Sequence, residues 1–309
     1  MIRGVLLSAA RSDRLRAVAA AAPVSRGLVR RFVAGDGTED AIRATRELVA
    51  AGLLATIDHL GEDTTEPAQA ETTRSAYVTL LGRLAEEGLS AGAEVSVKLS
   101  AVGQALPGDG EKIALEHARQ ICAAAQAAGT TVTLDMEDHT TTDSTLGILA
   151  ELRRDFPSTG AVLQSYLFRT ETDCADLAYE GSRVRLCKGA YREPPSVAFA
   201  DKAEVDRAYV RCLKVLLAGP GYPMVASHDP RLIEIAGALA VRHERPKGSY
   251  EYQMLYGVRP DEQARLAGLG EKVRVYLPYG DQWWGYLVRR LAEKPANLAL
   301  LLRAVASKS

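Results

Sequence analysis

Two adjacent guanidiniums near the end of the chain have the spacing of a ligand grip. The segment runs Tyr276-Leu-Pro-Tyr-Gly-Asp-Gln-Trp-Trp-Gly-Tyr286-Leu-Val-Arg289-Arg290-Leu-Ala-Glu293. It reads as a strand that turns at Pro278 and Gly280 and continues as a helix. On that helix Tyr286 precedes Arg289 and Arg290 by three and four residues, so all three lean toward one side, and Glu293 continues the face a turn later. Paired guanidiniums offer a rigid planar fork for a carboxylate or phosphate, where lysine supplies only a point charge. An aromatic platform beside the fork suits a small anion carrying an apolar ring or chain. An arginine pair on a surface helix is usually just solvated; this one follows a strand end dense in Tyr and Trp, which points to a site.

Further residues that could do chemistry recur at the ends of apolar runs. Periodicity gives eight β-like runs, at 53–58, 94–99, 131–136, 161–167, 183–188, 223–228, 249–255 and 273–277. At or near their C-terminal ends stand Asp58, Lys98, Asp135 with Glu137 and Asp138, Gln164, Arg185 with Lys188, His228, Gln253 and Tyr276. One charge in such a run is commonly a structural ion pair, but polar residues at the same end of every run are what an active site on a barrel face requires. Helical stretches separate the runs. Residues 111–128 end at Gly129, a C′ glycine; residues 143–155 are expected to start on Asp143 as N-cap; 202–218 follows; and 230–244 opens with Pro230. Eight β-then-α units close most simply into a (β/α)8 barrel, with an open doubly wound sheet as the second choice. No GxGxxG follows any run, so the Rossmann fingerprint is absent.

Composition narrows the class. The 309 residues are 47% apolar and 25% charged with a net charge of −1, normal for a globular protein with a large core and without a general pull toward nucleic acid. The balance hides an asymmetry: residues 1–35 hold seven Arg and one acid, Asp13, and therefore carry +6 against −7 for the rest. Cys122, Cys174, Cys187 and Cys212 are scattered, with neither zinc-ligand nor disulfide-framework spacing, which suits a cytoplasmic protein without metal. No apolar run reaches the ~20 residues needed to span a bilayer. The Arg-rich start is read as amphipathic helices of the fold rather than as a transit peptide, giving a helical arm over residues 1–50 packed on a barrel over 51–309, one structural domain overall.

In order along the chain stand SVKLS (96–100), LDMED (134–138), LQSYLFRT (163–170), VRLCKGAYRE (184–193), ASHDP (226–230), EYQMLYGV (251–258) and the YLPYG…YLVRR…E segment. Together they resemble the flavin-dependent proline dehydrogenases in their short, single-function bacterial form, from about Leu53 to Leu301. The resemblance implies a distorted (β/α)8 barrel of the TIM type with additional N-terminal helices, noncovalent FAD, and oxidation of L-proline to Δ1-pyrroline-5-carboxylate with a membrane quinone as electron acceptor. It implies that Arg289 and Arg290 grip the proline carboxylate, that Leu255, Tyr276 and Tyr286 wall its ring, and that Lys98, Asp135, Arg185 and Tyr276 act in catalysis. Asp135, Gln164, Arg185, Cys187, Gly189, Ala190, Tyr191, Lys202, Ser227, His228, Gln253, Leu255, Arg290 and Glu293 are the cofactor positions it implies. Cys187, Ser227 and Phe168 depart mildly from the family pattern.

Three finer expectations follow. Lys98 is expected to be held by Asp135 or Glu137. Glu62, in the loop after the first strand, is expected to approach Arg289 and close the site. The basic arm, with VLL and AVAAAA between its arginines, could meet an anionic leaflet or simply pack on the acidic remainder. Two other classes stay open: a lyase using Lys98 as Schiff-base nucleophile, and a module that binds without turnover.

Overall fold

The first and last strands of the chain lie side by side, which is the closure a barrel needs. In the computed structural model the parallel strands are β1 (Leu54–His59), β2 (Ala93–Val97), β3 (Val132–Leu134), β4 (Ala161–Gln164), β5 (Arg183–Cys187), β6 (Tyr222–Ala226), β7 (Glu251–Leu255) and β8 (Val273–Tyr279). Helix α1 (Thr38–Ala50) precedes β1. Each strand is then followed by one helix: α2 (Pro67–Glu86), α3 (Gly110–Ala127), α4 (Thr142–Asp155), α5 (Thr170–Leu177), α6 (Lys202–Ala218), α7 (Pro230–Arg242), α8 (Pro260–Gly268) and α9 (Trp283–Glu293). The structure describes residues 29–62 and 64–293, with residues 289–293 as backbone only.

The hydrogen-bonded order is β3-β2-β1-β8-β7-β6-β5-β4. The remaining seam, between β3 and β4, is joined through Gly160. Its N–H donates to the Val132 carbonyl at 2.8 Å and its carbonyl accepts from Leu134 N–H at 2.9 Å. A Cβ at this position would lie 2.5 Å from Thr133 Oγ1, so a residue without a side chain is what lets the two strands meet.

The predicted elements form, with local corrections. The expected 161–167 strand ends at Gln164 because the chain turns there, and Leu167 then bridges antiparallel to Ala198 at the rim. Asp143 is not an N-cap. α4 begins at Thr142, one residue earlier, and Asp143 sits in its first turn paired to Arg169 at 2.5 Å; the capping carboxylate is Asp138, which accepts from Thr140 N–H at the start of the preceding 3-10 turn. α6 and α7 are capped as their sequences suggest, by Asp201 and Asp229, and Pro230 takes the first helical position.

Period-two alternation decides what fills the barrel. Ile57, Val95, Leu134, Leu163, Leu186, Val225, Met254 and Val275 are buried in the apolar cluster that also contains residues of α1 to α4, α6 and α7. The alternate residues point the other way, into the barrel: Thr56 and Asp58, Glu94 and Ser96, Arg183 and Arg185, Glu251 and Gln253, Arg274 and Tyr276. Barrel interiors are commonly filled by branched aliphatic side chains; this one is filled by ions. Buried ions are tolerable only when paired and hydrogen-bonded, and these are paired: Glu94 with Arg183, Glu251 with Arg274, Asp135 with Arg185 and Asp58 with Lys98.

Candidate active site

The ionic interior has two levels. In the lower one, Glu94 meets Arg183 at 2.5 Å and Glu251 meets Arg274 at 2.7 Å, with Arg274 also 3.7 Å from Glu94. Burial alone would raise the Glu94 carboxyl, but Arg183, Arg274 and Arg185 together pull it down to about 2. None of these four residues was singled out from sequence. The signal was there: Glu94-x-Ser96-x-Lys98, Arg183-x-Arg185, Glu251-x-Gln253 and Arg274-x-Tyr276 repeat a polar residue at the strand period.

The upper level lies at the C-terminal ends of the strands. Arg185 reaches across the barrel: its Nη1 lies 2.8 Å from Asp135 Oδ1 and 3.0 Å from Ser96 Oγ, while Nε donates to Gln253 Oε1. The guanidinium also lies 5.4 Å from the Tyr276 ring centroid. Tyr276 donates its hydroxyl to the other Asp135 oxygen at 2.7 Å. Burial works to raise the Asp135 carboxyl, yet Lys98, Arg185 and the Tyr276 hydrogen bond hold it below its ordinary value, so it is an anion. Burial and the neighbouring Asp135 charge push the Tyr276 hydroxyl well up, so it stays a neutral donor.

Lys98 is the second buried cation of this set. Its Nζ is 2.7 Å from Asp58, 3.6 Å from Asp135 and 3.4 Å from the Tyr276 hydroxyl. The expectation that Asp135 or Glu137 would hold it is met in part: Asp135 does pair with it at 3.6 Å, but Asp58, which was not expected, is the nearer partner at 2.7 Å. The cause is barrel register, which sets Asp58 of β1 opposite Ser96 of β2 and so beside the next inward residue, Lys98. Glu137 turns elsewhere, accepting from Ser100 N–H at 3.1 Å and from Ser100 Oγ–H at 2.7 Å. Burial would lower the Lys98 ammonium, but Asp58, Asp135 and Glu62 raise it above its ordinary value. A Schiff-base lysine needs the opposite shift, so the lyase reading loses its nucleophile. Glu62, half-buried in the loop after β1, is among the acids that hold Lys98 charged.

The other expected residues fall around this centre. Gln164 is buried and donates its amide to the Glu137 carbonyl at 2.7 Å. His228 accepts the Leu255 N–H on Nε2 at 2.9 Å, and Ser227 accepts from Asp229 N–H at 3.1 Å. Half-buried Cys187 ends β5, and half-buried Gly189, Ala190 and Tyr191 follow it in the connecting loop, with Gly189 at φ +110°. Leu255, half-buried, sits opposite Tyr276 in the β7–β8 register. Lys202 opens α6 and is exposed. Tyr286 is buried in an apolar cluster with Phe32, Val33, Leu60 and Trp284, where α9 packs on the segment entering α1. The side chains of Arg289, Arg290 and Glu293, and hence the Glu62–Arg289 contact, lie outside the described residues, as does the arm over 1–28. Phe168 is 49% exposed and packs edge-on against Phe199 at 4.7 Å.

The donor set can hold a flavin. A fixed cation (Arg185), neutral amides (Gln164, Gln253), the His228 imidazole engaged on the backbone and a half-buried glycine loop line one end of the barrel. Such groups suit a planar heterocycle with a polar edge and a phosphate tail. Among the described residues no group of three His, Cys, Asp or Glu could hold a metal, all four cysteines are free thiols, and no helix is long and apolar enough to cross a membrane.

Known proteins resemble this chain in sequence and fold. The sequence profile of the family described as Proline dehydrogenase matches residues 41–301. The chain is 37% identical over 308 residues to Proline dehydrogenase 1 of Bacillus subtilis (strain 168), covering 100% of both. It is 42% identical over 280 residues to Proline dehydrogenase of Deinococcus radiodurans, covering 90% of both. Among solved structures, proline utilization A from Bdellovibrio bacteriovorus, inactivated by N-propargylglycine, superposes with a TM-score of 0.81 at 27% identity over 92% of this chain; the chain spans 34% of that larger protein. A variant of proline utilization A from Bradyrhizobium japonicum shares the fold, with a TM-score of 0.72 at 22% identity.

Proposed function

This chain belongs to the proline dehydrogenase family, and on that basis we propose that it is an FAD-dependent enzyme oxidising L-proline to Δ1-pyrroline-5-carboxylate and passing the electrons to a membrane quinone. The observation that carries the reading is the cluster Lys98–Asp58, Asp135–Tyr276 and Arg185 at the C-terminal ends of the strands, in a chain matched to the family from 41 to 301.

Proline brings a carboxylate and a secondary amine, and its C5–H bond is the one to break. Bound flavin would supply the two-electron acceptor. The protein's own groups then have three tasks. Arg289 and Arg290 bind the carboxylate through their planar forks. Lys98, held as an ammonium by Asp58, adds a positive charge near the site and so favours the free-base amine, the form whose lone pair can make the C=N bond. Arg185, fixed by Asp135, Ser96 and Gln253, presents a positive charge at the redox end of the pocket, while Tyr276 and Leu255 wall the ring and orient C5. Gln164, Cys187, Gly189 to Tyr191, Lys202, Ser227, His228, Gln253 and Glu293 would contact the cofactor.

The same reading makes residues 1–50 an arm on a barrel over 51–309, working in the cytoplasm, with its +6 segment at residues 1–35 available for peripheral contact with an anionic membrane face. An absorption spectrum of purified protein tests the core of the proposal: a flavin band bleached by proline without oxygen is expected. Colourless protein that FAD cannot reconstitute would refute it. Reoxidation by a soluble quinone but not by NAD is expected for the acceptor, and rapid reoxidation by NAD alone would overturn that part.

A further inference from the structure

Glu193 has a buried carboxylate in an otherwise open loop. Its side chain is 2% exposed, while its neighbours Arg192 and Pro194 are exposed. One oxygen accepts the His139 N–H at 3.0 Å and the Tyr166 hydroxyl at 2.9 Å; the other meets the His139 ring at Nδ1. His139 follows β3, Tyr166 follows β4 and Glu193 follows β5. One carboxylate thus ties three successive strand-to-helix connections together on the active face of the barrel.

Tyr166 carries the tie back to the glycine turn. Its ring lies against Gly189, where a Cβ would come 2.4 Å from a ring carbon and where φ is +110°. Its N–H donates to the Lys188 carbonyl at 3.0 Å and its carbonyl accepts from Phe199 N–H at 2.8 Å, so the residue bonded to Glu193 also braces both ends of the 188–199 loop. Burying a carboxylate is costly unless several donors meet it. Here every donor comes from a neighbouring connection, so what the buried charge secures is the shape of the loop.

We propose that Glu193 is the positioning residue for the cofactor turn Gly189–Tyr191, holding that turn in a binding-ready conformation before the flavin arrives. The inference rests on the flavin reading above and adds to it a residue that makes no demand on the cofactor's own atoms. Pre-organisation of this kind shows as affinity, because a loop already ordered loses less freedom on binding.

The test uses full-length Glu193→Ala and Glu193→Gln, stripped of flavin and titrated with FAD by fluorescence, alongside tryptic cleavage after Arg192 and unfolding midpoints. Glu193→Ala is expected to bind FAD about ten-fold more weakly, equivalent to about 1.4 kcal/mol, and to be cut faster after Arg192 in the flavin-free state. Once saturated with FAD, its KM for proline is expected to stay within about two-fold of wild type, because substrate binding is not what was removed. Glu193→Gln keeps an acceptor for Tyr166 and the His139 N–H, should fall between, and carries the test if the alanine variant does not fold. Wild-type FAD affinity in both variants, or a lowered unfolding midpoint with no change in affinity or cleavage, overturns the proposal alone. A wild-type protein that takes up no flavin overturns the functional reading with it.

Discussion

Tyr276 and Asp135 meet across the barrel mouth, the Tyr276 hydroxyl donating to Asp135 Oδ2 at 2.7 Å while Arg185 holds Oδ1 at 2.8 Å. The carboxylate is therefore shared between a neutral donor and a cation, and losing the neutral donor leaves the ion pair intact. Tyr276→Phe is expected to fold, at a cost in stability set by the hydrogen bond that the buried Asp135 carboxylate loses. A hydrogen bond to a charged group is worth ~1.5–3 kcal/mol, so kcat/KM for proline should fall by roughly ten- to a hundred-fold. Steady-state kinetics with a soluble quinone check this; wild-type kinetics would remove Tyr276 from the site.

Lys98 is a different case, because Asp58 has it as its near cation at 2.7 Å. Lys98→Met strands a buried carboxylate, and breaking a buried pair from one side typically costs ~3–5 kcal/mol. Denaturant unfolding should show a loss of that order, together with loss of turnover. The wild-type enzyme incubated with a small aldehyde or ketone and borohydride should show no adduct reduced onto Lys98, since the ammonium is paired with Asp58 and stabilised rather than poised as a nucleophile.

The same pair shows what the sequence could and could not disclose. Lys98, Asp135, Arg185 and Tyr276 were legible because a charged or phenolic residue in an apolar strand has few bland explanations, and strand ends on one barrel face converge. Asp135 was expected and does pair with Lys98 at 3.6 Å, but the nearer partner was not legible. Asp58 is forty residues away in sequence, and only the β1–β2 register brings it alongside; Glu137, much nearer the expected place, is captured by Ser100. The lower ionic level of Glu94, Arg183, Glu251 and Arg274 was written in the strand alternation, but attention to strand ends alone passes over residues one layer down. Glu193 was visible only as the last letter of a motif, since its partners His139 and Tyr166 come from two other connections.

The arginine pair gives the sharpest prediction for substrate. Arg289→Ala and Arg290→Ala should raise KM for proline by between several-fold and a thousand-fold, since each removes charge-assisted hydrogen bonds to a small carboxylate. Arg290→Lys should also be impaired, because a point charge cannot replace a planar fork. Proline titrations of the three variants decide the matter; an unaffected KM in either alanine variant would reassign that arginine.

Glu137 should make stability depend on pH in a recognisable window. Burial lifts its carboxyl from 4.5 to about 7, against the lowering effect of the Ser100 hydrogen bonds and of Lys98. Between those two values the folded protein retains a proton that the unfolded chain has lost. The contribution is thus fully present below 4.5 and is lost as pH rises through about 7, opposite in sign to that of a carboxylate held down by a cation. Glu137→Gln mimics the protonated state at every pH, and its amide can still accept from Ser100 N–H while donating to the Ser100 hydroxyl oxygen. Urea unfolding of wild type and variant, followed from about pH 5 to about pH 8, should show the wild type losing more stability across that range. Taking the difference between the two proteins removes the groups they share, so parallel profiles would mean that Glu137 does not titrate there.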